Sequence, residues 1–257
     1  MNRHIRHRTL AQIGPDGQRR LAAASVVVVG CGALGSVLSQ VMVRAGVGLV
    51  RLVDPDRAEL HNLHRQLLYD EGDVASGRAK AEIAAERLRR INSEVEVEAR
   101  VVRAEPATIA DLIEGADLVL DGTDNFEARV VVNEACVHSR LPWVYGGVVG
   151  TTGMVLPVVP GRGPCWRCFM PEVPEDAGAQ LEASGILSTA PLLVASVQAT
   201  EGLKLLVEPG AVRTDLLAVD LWSGRFDRFT VRRDPDCACC GERAASAGEA
   251  ARSPGLR

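Results

Sequence analysis

Short stretches of this 257-residue chain carry side chains that do chemistry when brought together. The first is Gly30-Cys31-Gly32-Ala33-Leu34-Gly35. Glycines at these spacings allow a tight turn, a close approach of backbone to phosphate, and close packing of the helix that follows, whose N-terminus favours an anion. Asp54 ends the next apolar run, where a carboxylate can accept hydrogen bonds from ribose hydroxyls. The plainer alternative is a glycine turn between buried elements. The pattern does not name the nucleotide, and taken alone it points to an NAD-dependent oxidoreductase.

A polar set further along changes that reading. Asn62-Leu63-His64-Arg65-Gln66, then Lys80, then Asp121-Gly122-Thr123-Asp124-Asn125 follow in order. The last group comes directly after a buried apolar run, as Asp54 does. In a parallel sheet the carboxyl ends of the strands line the ligand crevice. Arg65 and Lys80 supply cations for a polyphosphate, Asp54 a carboxylate for ribose, and Asp124 a carboxylate for Mg²⁺. Hydride transfer does not need such a set, whereas nucleotidyl transfer must neutralise charge on phosphate oxygens. Each residue also has a bland reading. Lys80 can be a solvated helix lysine, Arg65 a surface ion pair, and Asp124-Asn125 a helix cap.

The cysteines form a separate constellation. Cys165-Trp166-Arg167-Cys168 and Cys237-Ala238-Cys239-Cys240 each contain a Cys-x-x-Cys pair. Two such pairs supply the four thiolates of a closed tetrahedral zinc site from Cys165, Cys168, Cys237 and Cys240. A redox dithiol is the rival reading, which two complementary pairs disfavour. Cys239 is left over as a spare ligand or reactive thiol. Cys31 and Cys136 read as small buried residues.

These groups need elements to position them. Residues 26–29 are a β-branched run ending at glycine, the pattern of a fully buried strand. A helix to about residue 45 and a strand at 49–53 complete a strand, glycine turn, helix, strand unit, which implies parallel strands and a right-handed crossover. The alternation predicts a helix at 78–91, an outer strand at 95–102, a buried strand at 118–120, a helix at 126–138 and a strand at 143–149. The fold expected is α/β: a Rossmann-like, doubly wound, mainly parallel sheet with a β-rich C-terminal extension and a structural zinc site. The segment 151–160 reads as β-rich, 165–184 as a mobile loop, 191–207 as an apolar helix, and 216–219 and 225–231 as closing strands. The whole reads as a single domain over 1–241, with a nucleotide-binding half to about 148 and a second half at 149–241. Residues 242–257 are Ala-, Gly-, Ser- and Arg-rich and read as a disordered tail.

Composition narrows the class. The apolar fraction of 47% and charged fraction of 24% are those of a soluble globular protein. A net charge of −4 argues against a mainly electrostatic nucleic-acid binder. The basic N-terminus lacks the apolar run of a secretory signal. Residues 26–43 carry no charge, but their glycines, serines and glutamine fit a strand, turn and helix better than a membrane span. A cytoplasmic protein is expected, and since disulfides are rare there, the seven cysteines call for another explanation.

The ordered set of Gly30-Cys31-Gly32-Ala33-Leu34-Gly35, Asp54, Asn62-Leu63-His64-Arg65-Gln66, Lys80, Thr123-Asp124-Asn125 and the two cysteine pairs resembles the ThiF/MoeB/HesA family, bacterial relatives of ubiquitin-activating enzymes. The resemblance runs from about residue 3 to 241. It implies an adenylyltransferase that uses ATP to activate the C-terminal glycine of a small ubiquitin-like sulfur-carrier protein ending in Gly-Gly. It implies that Asp54 binds the ribose, that Arg65 and Lys80 hold the phosphates, and that Asp124 binds Mg²⁺. Asn62, Gln66 and Asn125 match family site positions. Arg3-His4-Ile5-Arg6-His7 resembles the family's N-terminal motif, in which an arginine crosses a homodimer interface into the partner's ATP site. Arg6 is the matching position, and a basic tail is its plainer reading. The implied pathway is sulfur transfer in thiamine, molybdopterin or thionucleoside biosynthesis, with sulfur from a separate cysteine desulfurase or sulfurtransferase. One departure stands out: Leu181 falls where many relatives carry a loop cysteine, so no covalent thioester or persulfide step is expected there. The other readings are a non-catalytic binding subunit, an NAD-dependent oxidoreductase, and same-fold activation of a carboxylate on tRNA or a small molecule.

Overall fold

The computed structural model describes residues 3–173 and 184–242. The strands are β1 (Ser25–Val29), β2 (Leu49–Val53), β3 (Glu96–Arg100), β4 (Leu118–Asp121), β5 (Trp143–Val149), β6 (Thr152–Val158), β7 (Leu216–Asp220) and β8 (Arg225–Phe229). They form one sheet in the order β3-β2-β1-β4-β5-β6-β7-β8. The first five of that order run parallel. From β5 onward the neighbours are antiparallel, so a hairpin converts a Rossmann-like sheet into its β-rich extension. The chain winds outward from β1 to β3, then returns to β4 on the other side. The order therefore reverses beside β1, and a crevice opens at the carboxyl ends there.

The strand alternation sorts the core into two layers. Val26, Val28, Val50, Leu52, Leu118 and Leu120 face one cluster, while Val27, Val29, Val53 and Val119 face the other. The first is covered by α2 (Gly14–Ala23), α3 (Ala33–Ala45), α5 (Lys80–Ile91) and α9 (Thr189–Val207). The second is covered by α6 (Ile109–Ile113), α7 (Phe126–Ser139) and α8 (Trp166–Phe169). Two short helices, α1 (Ile5–Thr9) and α4 (Glu71–Ser76), lie outside these layers. The sheet is wound on both faces, as the alternation predicts.

Local sequence explains the main boundaries. α3 stops at Gly46, whose φ of +78° places it in the left-handed region that glycine enters without strain. α7 starts where Asn125 accepts a hydrogen bond from the Ala128 N–H at 2.9 Å. α9 is long and apolar enough to cross a bilayer by composition, yet it packs against α3, β4, β5 and β6.

Several expectations need correction. The helix expected at 78–91 begins at Lys80, because Ala79 is extended and pairs in an isolated bridge with Arg57. The outer strand spans Glu96–Arg100 rather than 95–102, and the last strand ends at Phe229. The segment 165–184 is not a loop at its start. Trp166 is fully buried and opens the helical turn α8, because a large apolar side chain there is worth more inside the core than in water. Positions 174–183, which include Leu181, lie outside the described residues, as do positions 243–257 of the expected tail. The N-terminal motif forms α1 rather than a tail, packed against α2.

Candidate functional site

The parallel register sets the site. Val29 is level with Val53 on one side and Asp121 on the other, so β1, β2 and β4 end on one rim. The turns that follow are locked together by backbone: the Gly30 N–H donates to the Val53 carbonyl and the Gly122 N–H to the Val29 carbonyl, both at 2.7 Å. Gly30 has φ +89°, and a Cβ there would lie 2.5 Å from the Gly122 carbonyl oxygen. A Cβ on Gly35 would lie 1.8 Å from the Gly30 carbonyl oxygen. No larger residue fits either place, which gives two of the three motif glycines a steric reason. The third, Gly32, faces the Gln66 side chain: a Cβ would stand 3.6 Å from its amide nitrogen.

Asp54 closes the turn from the β2 side. Its carboxylate accepts from the Cys31 N–H at 2.6 Å and from the Asp56 N–H at 2.7 Å. Burial pushes the carboxyl above the ordinary range, and those two bonds and Lys80 pull it back. Tyr69 ties in the next segment through its hydroxyl, which donates to the Cys31 carbonyl at 2.8 Å.

Lys80 is not a solvated helix lysine. It begins α5, is 6% exposed, and places Nζ 3.7 Å from an Asp56 oxygen. Its own N–H donates to the Asp56 carbonyl at 2.8 Å. The Asp54–Arg57 loop therefore delivers a buried cation to the rim that carries the glycine turn. Gln66 is buried as well, and its Oε1 has no hydrogen-bond partner among the described residues. A buried acceptor left unsatisfied is costly, so a site that supplies a donor fits it. Asn62 is buried and accepts from Arg65 Nη2 at 2.9 Å, which holds that guanidinium half-buried.

Asp124 is exposed, while its neighbour Asn125 caps α7 and reaches it at 3.3 Å. The cap therefore falls to Asn125, and the Asp124 carboxylate is left at the surface. Arg6 is not brought to this site. It is exposed on α1, whose preceding residue His4 lies against Gly46 at the far end of α3. α3 has 13 residues, so that end lies about 20 Å from the glycine turn.

The four paired cysteines do meet. Their sulfurs all lie within 4.8 Å of one another. Cys165 and Cys168 are 4.0 Å apart, Cys165 and Cys237 3.6 Å, and Cys168 and Cys240 3.4 Å. A tetrahedron of thiolates around an ion with 2.3 Å bonds has edges of about 3.8 Å, so the donor set fits a metal of that kind. Burial raises the Cys168 thiol to about 11, and contact with Cys165 together with burial pushes Cys240 up to about 12. Cys239, beside Cys165, accepts from Asn133 Nδ2 at 3.1 Å. Asn133 Oδ1 accepts from the Trp166 N–H at 2.9 Å, so one fully buried amide bridges both cysteine turns.

Sequence reasoning missed Asn133, Arg129 and Gln198. Gln198 is fully buried in α9 and donates to the carbonyls of Asp121 and Val144, joining the end of β4 to the start of β5. A signal existed for the other two. Arg129, Val132, Asn133 and Cys136 share the buried stripe of α7 at helical spacing, and two of the four are polar.

Comparison with known proteins agrees with this architecture. The model of the ThiF family matches residues 4–239. The chain is 41% identical over 243 residues to the sulfur carrier protein ThiS adenylyltransferase of Bacillus subtilis (strain 168), covering 93% of this chain and 71% of that one. It is also 41% identical over 249 residues to a sulfur carrier protein adenylyltransferase of Thermus thermophilus, covering 94% and 91%. Among solved structures, E. coli MccB with succinimide superposes with a TM-score of 0.79 at 25% identity, over 94% of this chain and 75% of that one.

Proposed function

The chain belongs to the ThiF family, and from that premise we propose that it uses ATP to adenylylate the C-terminal glycine carboxylate of a ubiquitin-like sulfur-carrier protein. The observation that carries this reading is the buried Lys80 held beside the glycine turn. A dinucleotide-dependent oxidoreductase has no need of that cation, whereas a triphosphate does.

A carboxylate oxygen of the carrier attacks the α-phosphorus of ATP. The bond from that phosphorus to the β-bridging oxygen breaks, pyrophosphate leaves, and the carrier becomes an acyl-adenylate. The enzyme's contribution is positioning and charge neutralisation. Asp54 accepts the ribose hydroxyls, and Gly30, Gly32 and Gly35 let the backbone approach the phosphates. Lys80 and Arg65 balance the triphosphate. Gln66 and Asn62 supply polar contacts at the mouth of the turn, with Asn125 fixing the start of α7. Asp124, exposed at the rim, holds Mg²⁺, which adds positive charge against the phosphates. Arg6 enters the site of a partner subunit in a homodimer, which agrees with its distance from the turn of its own chain. The segment 149–241 receives the carrier, and zinc on Cys165, Cys168, Cys237 and Cys240 clasps that half together. A separate sulfur donor then converts the adenylate to a thiocarboxylate, in the cytoplasm and without an enzyme-bound intermediate at Leu181.

The test is ATP–pyrophosphate exchange with purified carriers ending in Gly-Gly. Exchange that depends on one carrier and disappears when its last glycine is deleted supports the proposal. Tight ATP binding with no exchange for any carrier, but exchange with a tRNA or a small carboxylate, would replace the substrate and keep the chemistry.

A further inference from the structure

Arg129 is a charged side chain that the proposed chemistry does not use, yet it is 5% exposed. Its Nε lies 3.3 Å from Asp121 Oδ2, and Nη2 donates to the Thr123 carbonyl at 2.8 Å and more weakly to the Gly146 carbonyl at 3.5 Å. The other Asp121 oxygen accepts from the Thr123 N–H at 2.9 Å and the Thr123 hydroxyl at 2.6 Å. The turn from Asp121 to Thr123 is therefore pinned from both sides, and Asp124 is the next residue. The guanidinium itself is seated between two rings, 5.5 Å from the Phe126 centroid and 5.2 Å from that of Tyr145. Both rings pack on Trp166, at 6.3 and 6.1 Å.

We propose that Arg129 is a positioning residue, which fixes the 121–125 turn in the shape that presents Asp124 to the metal bound with ATP. This rests on the placing of Asp124 in the nucleotide site. A planar fork is required, because its donors serve acceptors on β4, on the turn and on β5 while its face lies between aromatic rings. Lysine keeps the charge but offers a single point, and cannot hold Asp121 and the Thr123 carbonyl in one plane. A role in stability alone would leave the nucleotide site indifferent to the change. A positioning role makes the metal dependence of nucleotide binding change first.

The experiment measures ATP affinity by calorimetry with and without Mg²⁺, for the wild type, Arg129→Lys and Asp124→Ala. No carrier is needed, so the outcome does not depend on identifying the substrate. The expected result is that the gain in affinity from Mg²⁺ falls at least tenfold in Arg129→Lys and approaches that of Asp124→Ala, while Mg²⁺-free affinity stays within twofold. Phe126→Leu removes one wall of the seat and leaves the hydrogen bonds, so it guards against a lysine variant that does not fold. It is expected to reduce the Mg²⁺ gain by a smaller factor. Folded variants that keep the full Mg²⁺ gain would overturn the positioning role. A Mg²⁺ gain lost in Arg129→Lys but kept in Asp124→Ala would instead show that the metal sits elsewhere, and would remove Asp124 from the proposed site.

Discussion

Asp54 accepts a 2.6 Å hydrogen bond from the backbone N–H of Cys31, which fastens the end of β2 to the glycine turn after β1. The same carboxyl is held above its ordinary range by burial, against the pull of its N–H donors and Lys80. A raised carboxyl contributes stability that is complete below its unfolded value, about 3.9, and is lost as pH rises through the folded value. Asp54→Asn removes that titration. The stability of the variant relative to wild type should therefore climb as pH rises from about 4 to 7. Urea unfolding at several pH values reads the difference, and a flat or falling difference would show that the hydrogen bonds outweigh burial.

Gln66 is predicted to trade stability for nucleotide affinity. Its buried Oε1, without a partner among the described residues, costs about 1–3 kcal/mol in the free protein. Gln66→Met keeps the volume and removes the orphan. The melting temperature should rise by about 2–4 °C per kcal/mol recovered, while ATP binding weakens by about tenfold. Loss of stability with unchanged ATP binding would mean that the amide serves the fold alone.

Arg6 and Asp124 should complement each other across subunits. Arg6→Ala and Asp124→Ala are each expected to be inactive in pyrophosphate exchange without a change in melting temperature, since both side chains are exposed. Mixed in equal amounts and allowed to exchange subunits, they form heterodimers that contain one complete site. Statistical mixing then restores about a quarter of wild-type activity. No recovery after subunit exchange would place Arg6 outside the partner's site.

The cysteine cluster predicts about one zinc per chain in protein prepared without chelator. Cys168→Ser should lose the metal. Because Cys165 and Cys237 are 72 positions apart, losing the clasp should cost about 4 kcal/mol by loop-closure entropy. Metal analysis that finds zinc at full occupancy in Cys168→Ser would move the site to other ligands, with Cys239 the nearest candidate thiol.

The nucleotide turn was legible because each of its parts is local. Strand, glycines, helix and terminal acid follow one another in sequence, and their spacing is their geometry. The cysteine pairs were legible because a pair at Cys-x-x-Cys spacing already holds half of a tetrahedral set. Lys80 was only half legible. Its place in a helix could be read, but its burial comes from the bridge between Arg57 and Ala79, which no periodicity records. Arg129 and Asn133 were missed because a charged or amide residue on a helix is usually solvated. Their partners, Asp121 and Trp166, come from different elements, and only the packing of α7 onto the sheet brings them in.

The proposed clasp also sets an order of events. Residues proposed to touch ATP end at Asn125 within the chain, and the strands that carry them are complete once β5 has left the ribosome. Two of the four sulfurs arrive only with the turn after β8, the last structured part described. The nucleotide half cannot complete its core alone, because α9 covers one face of its sheet and Trp166 packs into the cluster on the other, so both halves are finished by segments made late. A metal in the proposed clasp would then bear on how many newly made chains finish closing.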